Sequence, residues 1–307
     1  MEQKKKIILL AGPTASGKSK LAIKLAKRFK GEIINADSMQ IYKEISILTS
    51  KPNLKDTESI KHHLYGINSV KQKFSTGVWL KVAIKKIKEQ WNNKQIPIIV
   101  GGTGLYFKAL TDGLIRIPNI PNNLRLQIRK LHKKIGQENF FEKLNKLDPL
   151  AKNFIRNSDS QRSIRAYEVK IFTKKSLFEF TKDTKSNFSV DVFIKLFINT
   201  PREILHNKIE NRVEKMFKEG AVDEVKNFFK LKVPKDHSSN KIIGIKEIED
   251  YLDGKITLIK TKDLIKQKTR QYAKRQFTWA RGNMKSWEMI YSSDLNDLFR
   301  KATSKIF

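Results

Sequence analysis

Eight residues constrain this chain more than any others: Gly12-Pro13-Thr14-Ala15-Ser16-Gly17-Lys18-Ser19. They follow a short apolar run, Ile7–Ala11, and open a segment, Lys18–Phe29, that carries Leu21, Ala22, Leu25, Ala26 and Phe29 at helical spacing. The spacing is G-x-x-x-x-G-K-[ST] between a strand and a helix. Gly12 and Gly17 let the backbone curl until successive N–H groups point inward. The helix N-terminus adds the positive end of its dipole, and Lys18 adds a point charge. Such a loop cradles a diphosphate or triphosphate, and Ser19 is placed to hold a Mg²⁺ that bridges phosphate oxygens. It does not say whose phosphates these are.

The surroundings extend the pattern. Residues 32–35 enter a second strand, 77–91 read as a helix, and 96–100 form a fully apolar third strand. Strand, helix and strand in this order predict an α/β fold, a P-loop NTPase-like parallel sheet flanked by helices. Pro118, Pro121 and Asn122-Asn123 interrupt it, and 124–185 is helical in period, with Phe140, Phe141, Leu144 and Leu147 on one face. This predicts an inserted all-helical domain. Residues 192–198 form a further core strand, and Thr200-Pro201 reads as a helix start with Thr as N-cap. That helix runs to Lys218 and stops at Gly220, and others follow at 221–229, 245–252 and 261–279. The expected domains are a core of 1–116 with 191–307 and an insertion of 117–190.

Lys plus Arg total 63 against 31 for Asp plus Glu, a net charge of +32, which is the footprint of a polyanion binder. Lys outnumbers Arg, so compositional bias and solvated Lys faces account for the same excess. The arginines are more informative, because their planar fork is not replaceable by Lys; Arg162 with Arg165, and Arg270 with Arg275 and Arg281, fall close together. There is no Cys, which removes disulfides, thiolate zinc sites, iron–sulfur clusters and cysteine nucleophiles. His62-His63 has no further metal-ligand spacing and reads as structural or solvated. The apolar run after MEQKKK ends at Gly12-Pro13, too short for a signal peptide, and nothing approaches the roughly 20 apolar residues of a membrane span. A cytoplasmic protein without a membrane partner is expected.

Two more strand ends carry chemistry. The second strand leads into Asn35-Ala36-Asp37-Ser38-Met39-Gln40, so Asp37 overlooks the crevice where doubly wound sheets bind ligands. It could hold Mg²⁺ through water, act as a general base, or cap a helix. The third strand ends in Gly101-Gly102-Thr103-Gly104, where glycines bring backbone close to a ligand and Thr103 offers a hydroxyl. No apolar strand ends in the Asp or Asp-Glu that activates water in ATP hydrolases, which argues against a motor or switch.

GPTASGKS, ADSMQIY and VGGTGLY, in this order and spacing, resemble the bacterial tRNA dimethylallyltransferases, also called tRNA isopentenyltransferases. The resemblance continues through the segment Asp159 to Val169 (DSQRSIRAYEV), then RVEKM from Arg212, IGIKE from Ile243 and KTRQYAKRQ from Lys268. It implies transfer of a dimethylallyl group from dimethylallyl diphosphate to N6 of the adenine 3′-adjacent to the anticodon, with the loop holding the diphosphate and Mg²⁺ as cofactor. By the same resemblance Asp37 is the general base, and Thr103 and Arg212 engage the diphosphate where charge grows as the C–O bond breaks. The tRNA anticodon stem-loop would meet Asp37, Ser38, Met39, Gln40 and Thr103, then Arg125 and Gln161, Arg162, Ser163, Ile164 and Arg165. Further contacts would come from Ile242, Ile243, Gly244, Ile245, Lys246 and Glu247, and from the Arg270 to Arg281 helix, Arg270 and Arg275 among them. Tyr272, Phe277 and Trp279 read equally as stacking platforms or as core, and Arg125 as an exposed helix charge. RNA rather than DNA is the implied polyanion, and a monomer the implied state. Ile245 and Tyr167 depart from the usual Tyr and Leu. The rival readings are a P-loop small-molecule kinase using ATP and a non-catalytic RNA-binding module. The first leaves the charge and the insertion unexplained, the second the phosphate loop.

Overall fold

The computed structural model describes residues 5–181 and 184–306. Residues 1–4, 182, 183 and 307, which the sequence assigns to the two expected domains, lie outside them, as do the side chains of 54–56. The first part of the chain holds β1 (Ile7–Ala11), α1 (Lys18–Phe29), β2 (Gly31–Asn35), α2 (Leu54–Ser59), β3 (His62–His63), α3 (Thr76–Asn92), β4 (Ile96–Gly101) and α4 (Gly104–Thr111). Three helices follow: α5 (Asn122–Leu147), α6 (Ala151–Phe154) and α7 (Ser160–Thr173). The remainder holds β5 (Phe193–Asn199), α8 (Arg202–Lys218), α9 (Ala221–Lys230), α10 (Ile245–Leu252), α11 (Leu258–Asn283), β6 (Glu288–Tyr291) and α12 (Leu295–Thr303).

The strands form one parallel sheet in the order β3-β2-β4-β1-β5-β6. Every residue of β1 and β2 is buried. Helices on both faces explain those unbroken apolar runs, which half-exposed strands would not show. On one face Leu21, Ala22 and Leu25 of α1 and Leu298 and Ala302 of α12 pack on Ile8, Leu10, Ile33 and Ile98. On the other, Trp79 of α3 is fully buried, stacks on Tyr106 of α4 at 4.3 Å and donates its indole N–H to Asn35 O at 2.8 Å. The chain leaves β1 towards β2 on one side and passes from β4 to β5 on the other, so the crevice beyond the C-terminal ends of β1 and β4 is the switch point. A second cluster packs Ile41, Ile45 and Leu48 against Val213, Met216, Val225, Ile245 and Ile265. No helix among the described residues is long and apolar enough to cross a membrane.

The chain divides into two compact units, Met1–Thr111 with Asn187–Phe307, and Asp112–Ser186. Both divisions fall a few residues before the expected 116/117 and 190/191. Within the smaller unit α5 breaks at Gly136 (φ 78°, ψ 170°), and Ile128, Phe140 and Leu144 pack on Ala166 and Tyr167 of α7. Two local expectations need correction. Pro201, not Thr200, is the N-cap of α8; the Thr200 hydroxyl is buried beside it without a hydrogen-bond partner. The last long helix starts at Leu258, not 261, because Thr257 caps it by accepting from Lys260 N. β3 and β6, of two and four residues, escaped the sequence reading because they are too short for a periodic signal.

Gly101 ends β4 where a Cβ would stand 2.0 Å from the Ala36 carbonyl oxygen, so only a glycine lets the strands close at the crevice. Gly101→Ala is expected to lower unfolding free energy by about 1–3 kcal/mol. Gly282→Ala, in α11 with nothing within 4 Å of its added Cβ, should be neutral or stabilising by up to about 1 kcal/mol. Urea titration of both variants checks this, and equal effects would contradict it.

Candidate active site

Between β1 and α1, Ala15 (φ 63°) and Gly17 (φ 88°) adopt left-handed conformations that turn the chain into the helix at Lys18. Lys18 Nζ donates to Pro13 O at 3.0 Å. The loop is tied to the crevice by Gln276 of α11, whose Oε1 accepts from Thr14 N and whose Nε2 donates to Gly102 O, both at 2.9 Å. Leu205, Ile209 and Ala273 pack under Ala15. The Ser16 hydroxyl is fully buried and has no partner. Thr14 to Lys20, Asp37, Gln40, Thr49 and Arg212 line a cavity of about 570 Å³.

Asp37 is held by its own neighbourhood. Its N–H donates to Asn35 Oδ1 at 2.8 Å, and Asn35 Nδ2 donates back to Asp37 O at 3.0 Å and to Leu64 O at 3.1 Å. Asp37 Oδ1 accepts from Met39 N at 2.9 Å, so the carboxylate caps a turn and not an α-helix. Oδ2 has no partner among the described residues. Thr103 fixes the next residue: its Oγ1 accepts from Ser38 N at 2.9 Å and lies 3.3 Å from Ser38 Oγ. Gly102 and Gly104, expected to bring backbone against a ligand, are spent on α11 instead; a Cβ at either would strike Gln276 or the Trp279 ring.

Two cations face the carboxylate. Burial pushes the Lys18 ammonium down to about 8, with Asp37 opposing and Arg212 reinforcing the shift. Burial also lowers the Arg212 pKa, again against the pull of Asp37. The Arg212 guanidinium donates to Thr14 Oγ1 at 3.0 Å and Thr49 O at 3.4 Å, while its buried Nε has no partner. Thr49 is itself positioned from a distance. Glu224 of α9 accepts from the backbone N–H groups of Ser46, Ile47 and Leu48 at 2.6, 2.8 and 3.0 Å. The phenols of Tyr65, Tyr106 and Tyr272 are raised by burial and then by the Asp37 charge, so all three remain donors at neutral pH.

A second cavity continues from the first, and a third from the second. The second, of about 240 Å³, shares Thr14, Asp37, Thr49 and Arg212 with the first and adds Met39, Ile243, Tyr272 and Arg275. The third, about 290 Å³, shares Met39, Tyr272 and Arg275 with the second and is walled by Leu105, Phe107, Phe197 and Trp279. Asp37 therefore lines both the phosphate-loop cavity and the 240 Å³ cavity, which in turn adjoins an aromatic, largely apolar recess. Tyr272 and Trp279 line that space, with Arg275 over the Tyr272 ring at 5.7 Å, whereas Phe277 packs against Leu205 and Ala273. Among the described residues no three His, Cys, Asp or Glu side chains form a metal cluster, and His63 is taken up by Glu32 at 2.6 Å.

The expected RNA contacts divide. Ser38, Met39, Gln40, Thr103, Ile243 and Arg275 are at least partly exposed in or beside the crevice, and Arg270 pairs with Glu210 at 3.1 Å. In the smaller unit Gln161 and Arg162 are exposed, Ile164 is half-buried, and Arg125 and Arg165 converge on the buried Glu168 carboxylate at 3.6 and 3.2 Å. Ser163, Ile242, Gly244, Ile245 and Glu247, expected as contacts, are buried, and Ile242 lines the 240 Å³ cavity beside Ile243. Ser163 Oγ bonds Asp159 O, Ile242 and Ile245 are core, and Glu247 accepts from Gly244 N at the start of α10 and pairs with Lys268. Lys246 is exposed but compensated by Glu249 and Asp250. Gln276 and Glu224 went unassigned in the sequence, since nothing local marks partners more than a hundred residues away.

Comparison with known proteins agrees with this geometry. The sequence model described as IPP transferase matches residues 40–283. The tRNA dimethylallyltransferase of Pelagibacter ubique (strain HTCC1062) is 52% identical over 301 residues, 98% of this chain and 96% of its own. That of Rickettsia massiliae (strain Mtu5) is 48% identical over 278 residues, 90% of this chain and 77% of its own. The crystal structure of the full-length tRNA isopentenylpyrophosphate transferase from Bacillus halodurans superposes with a TM-score of 0.70 at 31% identity, over 99% of this chain and 97% of that one. A eukaryotic dimethylallyltransferase acting on tRNA gives 0.86 at 28% identity, over 99% and 78%. The chain belongs to the IPP transferase family, that of the tRNA dimethylallyltransferases.

Proposed function

We propose that the protein transfers a dimethylallyl group from dimethylallyl diphosphate to N6 of the adenine 3′-adjacent to a tRNA anticodon, with Asp37 as the base. Family membership supplies dimethylallyl transfer to tRNA. The observation that carries the rest is the Asp37 carboxylate, anchored by one oxygen, the other without a partner among the described residues, where the phosphate-loop cavity meets the cavity lined by Met39, Tyr272 and Arg275. An exocyclic amine is a weak nucleophile, so it needs a base within hydrogen-bond reach and a stabilised leaving group. The N6 lone pair attacks C1 of the prenyl donor, the C1–O bond breaks with its electron pair going to the diphosphate, and the N6 proton passes to Asp37 Oδ2. Lys18, Arg212 and the N–H groups of residues 17–19 at the start of α1 neutralise the diphosphate as charge grows on it. Thr103 is a positioning residue that acts through Ser38. A kinase with ATP in this loop is not favoured, since relatives matching nearly the whole chain are dimethylallyltransferases.

The residues present fit a Mg²⁺. Ser19 is exposed at the start of α1 in the same cavity as Asp37, and Mg²⁺ takes only one or two protein ligands beside phosphate and water oxygens. Ser19 would hold it directly and Asp37 through water. When bound it supplies positive charge to the diphosphate. For the RNA, the exposed groups Gln161 and Arg162, together with Arg125, Arg165, Arg270 and Arg275, would meet phosphates and base edges, while Ser38, Met39, Gln40 and Ile243 would surround the flipped base.

Asp37→Asn is expected to keep tRNA affinity within about threefold while single-turnover prenyl transfer falls about 10²–10⁴-fold; transfer at the wild-type rate would remove Asp37 as the base. The Lys18 ammonium is charged below about pH 8 and neutral above it. kcat/KM for the prenyl donor should therefore fall as pH rises through 8, and Lys18→Arg, whose charge does not titrate there, should show no such alkaline limb. A pH–rate profile of both proteins checks it. Chelation should abolish transfer, and Ser19→Ala should raise the Mg²⁺ concentration needed for half-maximal rate; an unchanged Mg²⁺ dependence would exclude Ser19 as a ligand.

A further inference from the structure

Tyr65 lines the phosphate-loop cavity together with Ser16, Lys18 and Asp37, and lines neither of the two cavities beyond it. It follows β3, the parallel neighbour of β2, so it stands at the same end of the sheet as Asp37. One buried amide ties the two segments: Asn35 Oδ1 accepts from Asp37 N at 2.8 Å, and Asn35 Nδ2 donates to Leu64 O at 3.1 Å. Leu64 (φ 64°) and Gly66 (φ 57°), on either side of Tyr65, are both left-handed, and Gly66 N donates to Gln40 O at 3.0 Å. A leucine seldom adopts that conformation, and here the bond to Asn35 holds it there. The chain is therefore turned and pinned on both sides of Tyr65. Its ring is fixed as well, packed on the apolar cluster of β1, β2 and α1 with the His62 imidazole edge-on at 5.6 Å. A phenylalanine would fill that packing equally. The hydroxyl is the part that packing leaves unexplained, for it has no hydrogen-bond partner among the described residues. Burial, and then the Asp37 charge, raise its pKa, so it keeps its proton at neutral pH.

We propose that Tyr65 is a further catalytic residue, whose phenol donates a hydrogen bond to a diphosphate oxygen of the prenyl donor. The inference rests on the reading of this cavity as the diphosphate site. Its position decides between the two substrates: Tyr272 and Trp279 line the recess, whereas Tyr65 lies on the phosphate-loop side of Asp37. The phenol is neutral, so it adds a donor without adding a third cation beside Lys18 and Arg212. A hydrogen bond to an anion strengthens as charge builds on the accepting oxygen, so this one is worth more as the C1–O bond breaks than in the bound donor. The phenol proton stays on Tyr65 throughout, and the electron pair of the C1–O bond leaves with the diphosphate.

The test is Tyr65→Phe in the full-length protein, which removes the hydroxyl and keeps the ring. Melting temperature and tRNA affinity are expected to match those of the wild type. Inorganic diphosphate, titrated in the presence of Mg²⁺ by calorimetry, should bind about three- to tenfold more weakly, and single-turnover prenyl transfer at saturating donor should fall about ten- to a hundredfold. A larger loss in rate than in affinity marks a contact that strengthens as the bond breaks. Diphosphate affinity and transfer rate both within about twofold of the wild type overturn the proposal, and so does a loss shared with melting temperature and tRNA affinity, which marks a structural role. Diphosphate binding needs no prenyl transfer, so the two readings fail separately. A wild type that binds diphosphate through Tyr65 yet transfers no dimethylallyl group overturns the proposed reaction and leaves Tyr65 as a diphosphate ligand.

Discussion

Two cations and one carboxylate share a crevice largely withdrawn from water, and the carboxylate favours the charged form of each cation. Burial works against both Lys18 and Arg212, and Asp37 is the group that opposes it for each. An arriving diphosphate brings several negative charges to the same two cations. It can take over as their counterion and leave Asp37 to accept a proton from the nucleophile. On the proposed mechanism, the two cations are thus held charged before substrate arrives, with Asp37 as a temporary partner.

That arrangement is made by the sheet. β1, β2 and β4 end together because they are parallel neighbours, and each end contributes one part: the phosphate loop, Asp37 and Thr103. Backbone groups freed at the strand ends are taken up by nearby amides, Asn35 for Asp37 and Leu64, Gln276 for Thr14 and Gly102. These bonds remove orphaned donors and acceptors without filling the crevice. The helices beyond β5 then supply Arg212 from α8 and, through Glu224 of α9, the rigid Thr49 carbonyl that holds it.

What could be read from the sequence follows from how local each signal is. The phosphate loop, the buried strands and the long helices are contiguous patterns, and they stand within a few residues of where they were expected. Asp37 was visible as a carboxylate at a strand end, but only the structure shows one oxygen engaged with Met39 and the other free. Arg212 sits mid-helix in a Lys-rich chain and became a candidate only through family resemblance. Gln276 and Glu224 act across long separations, so no spacing rule could reveal them. The glycines after β4 misled for a related reason: G-G-T-G marks a close approach without saying to what, and the partner is α11. The motif IIGIKE mixes Ile242 and Ile243, at the cavity wall, with Ile245 and Glu247, which are buried away from it, because a family motif records packing as readily as contact.

The most direct measurement is incubation of the purified protein with Mg²⁺ and an unmodified tRNA bearing adenines at and beside the third anticodon position. Dimethylallyl diphosphate is compared with ATP, and the nucleosides are digested and weighed by mass spectrometry. Appearance of N6-dimethylallyladenosine with the prenyl donor alone is the expected result. Unmodified adenosine, with ATP consumed on an added small molecule instead, would contradict the account at its substrate and return the loop at Gly12–Ser19 to a nucleotide.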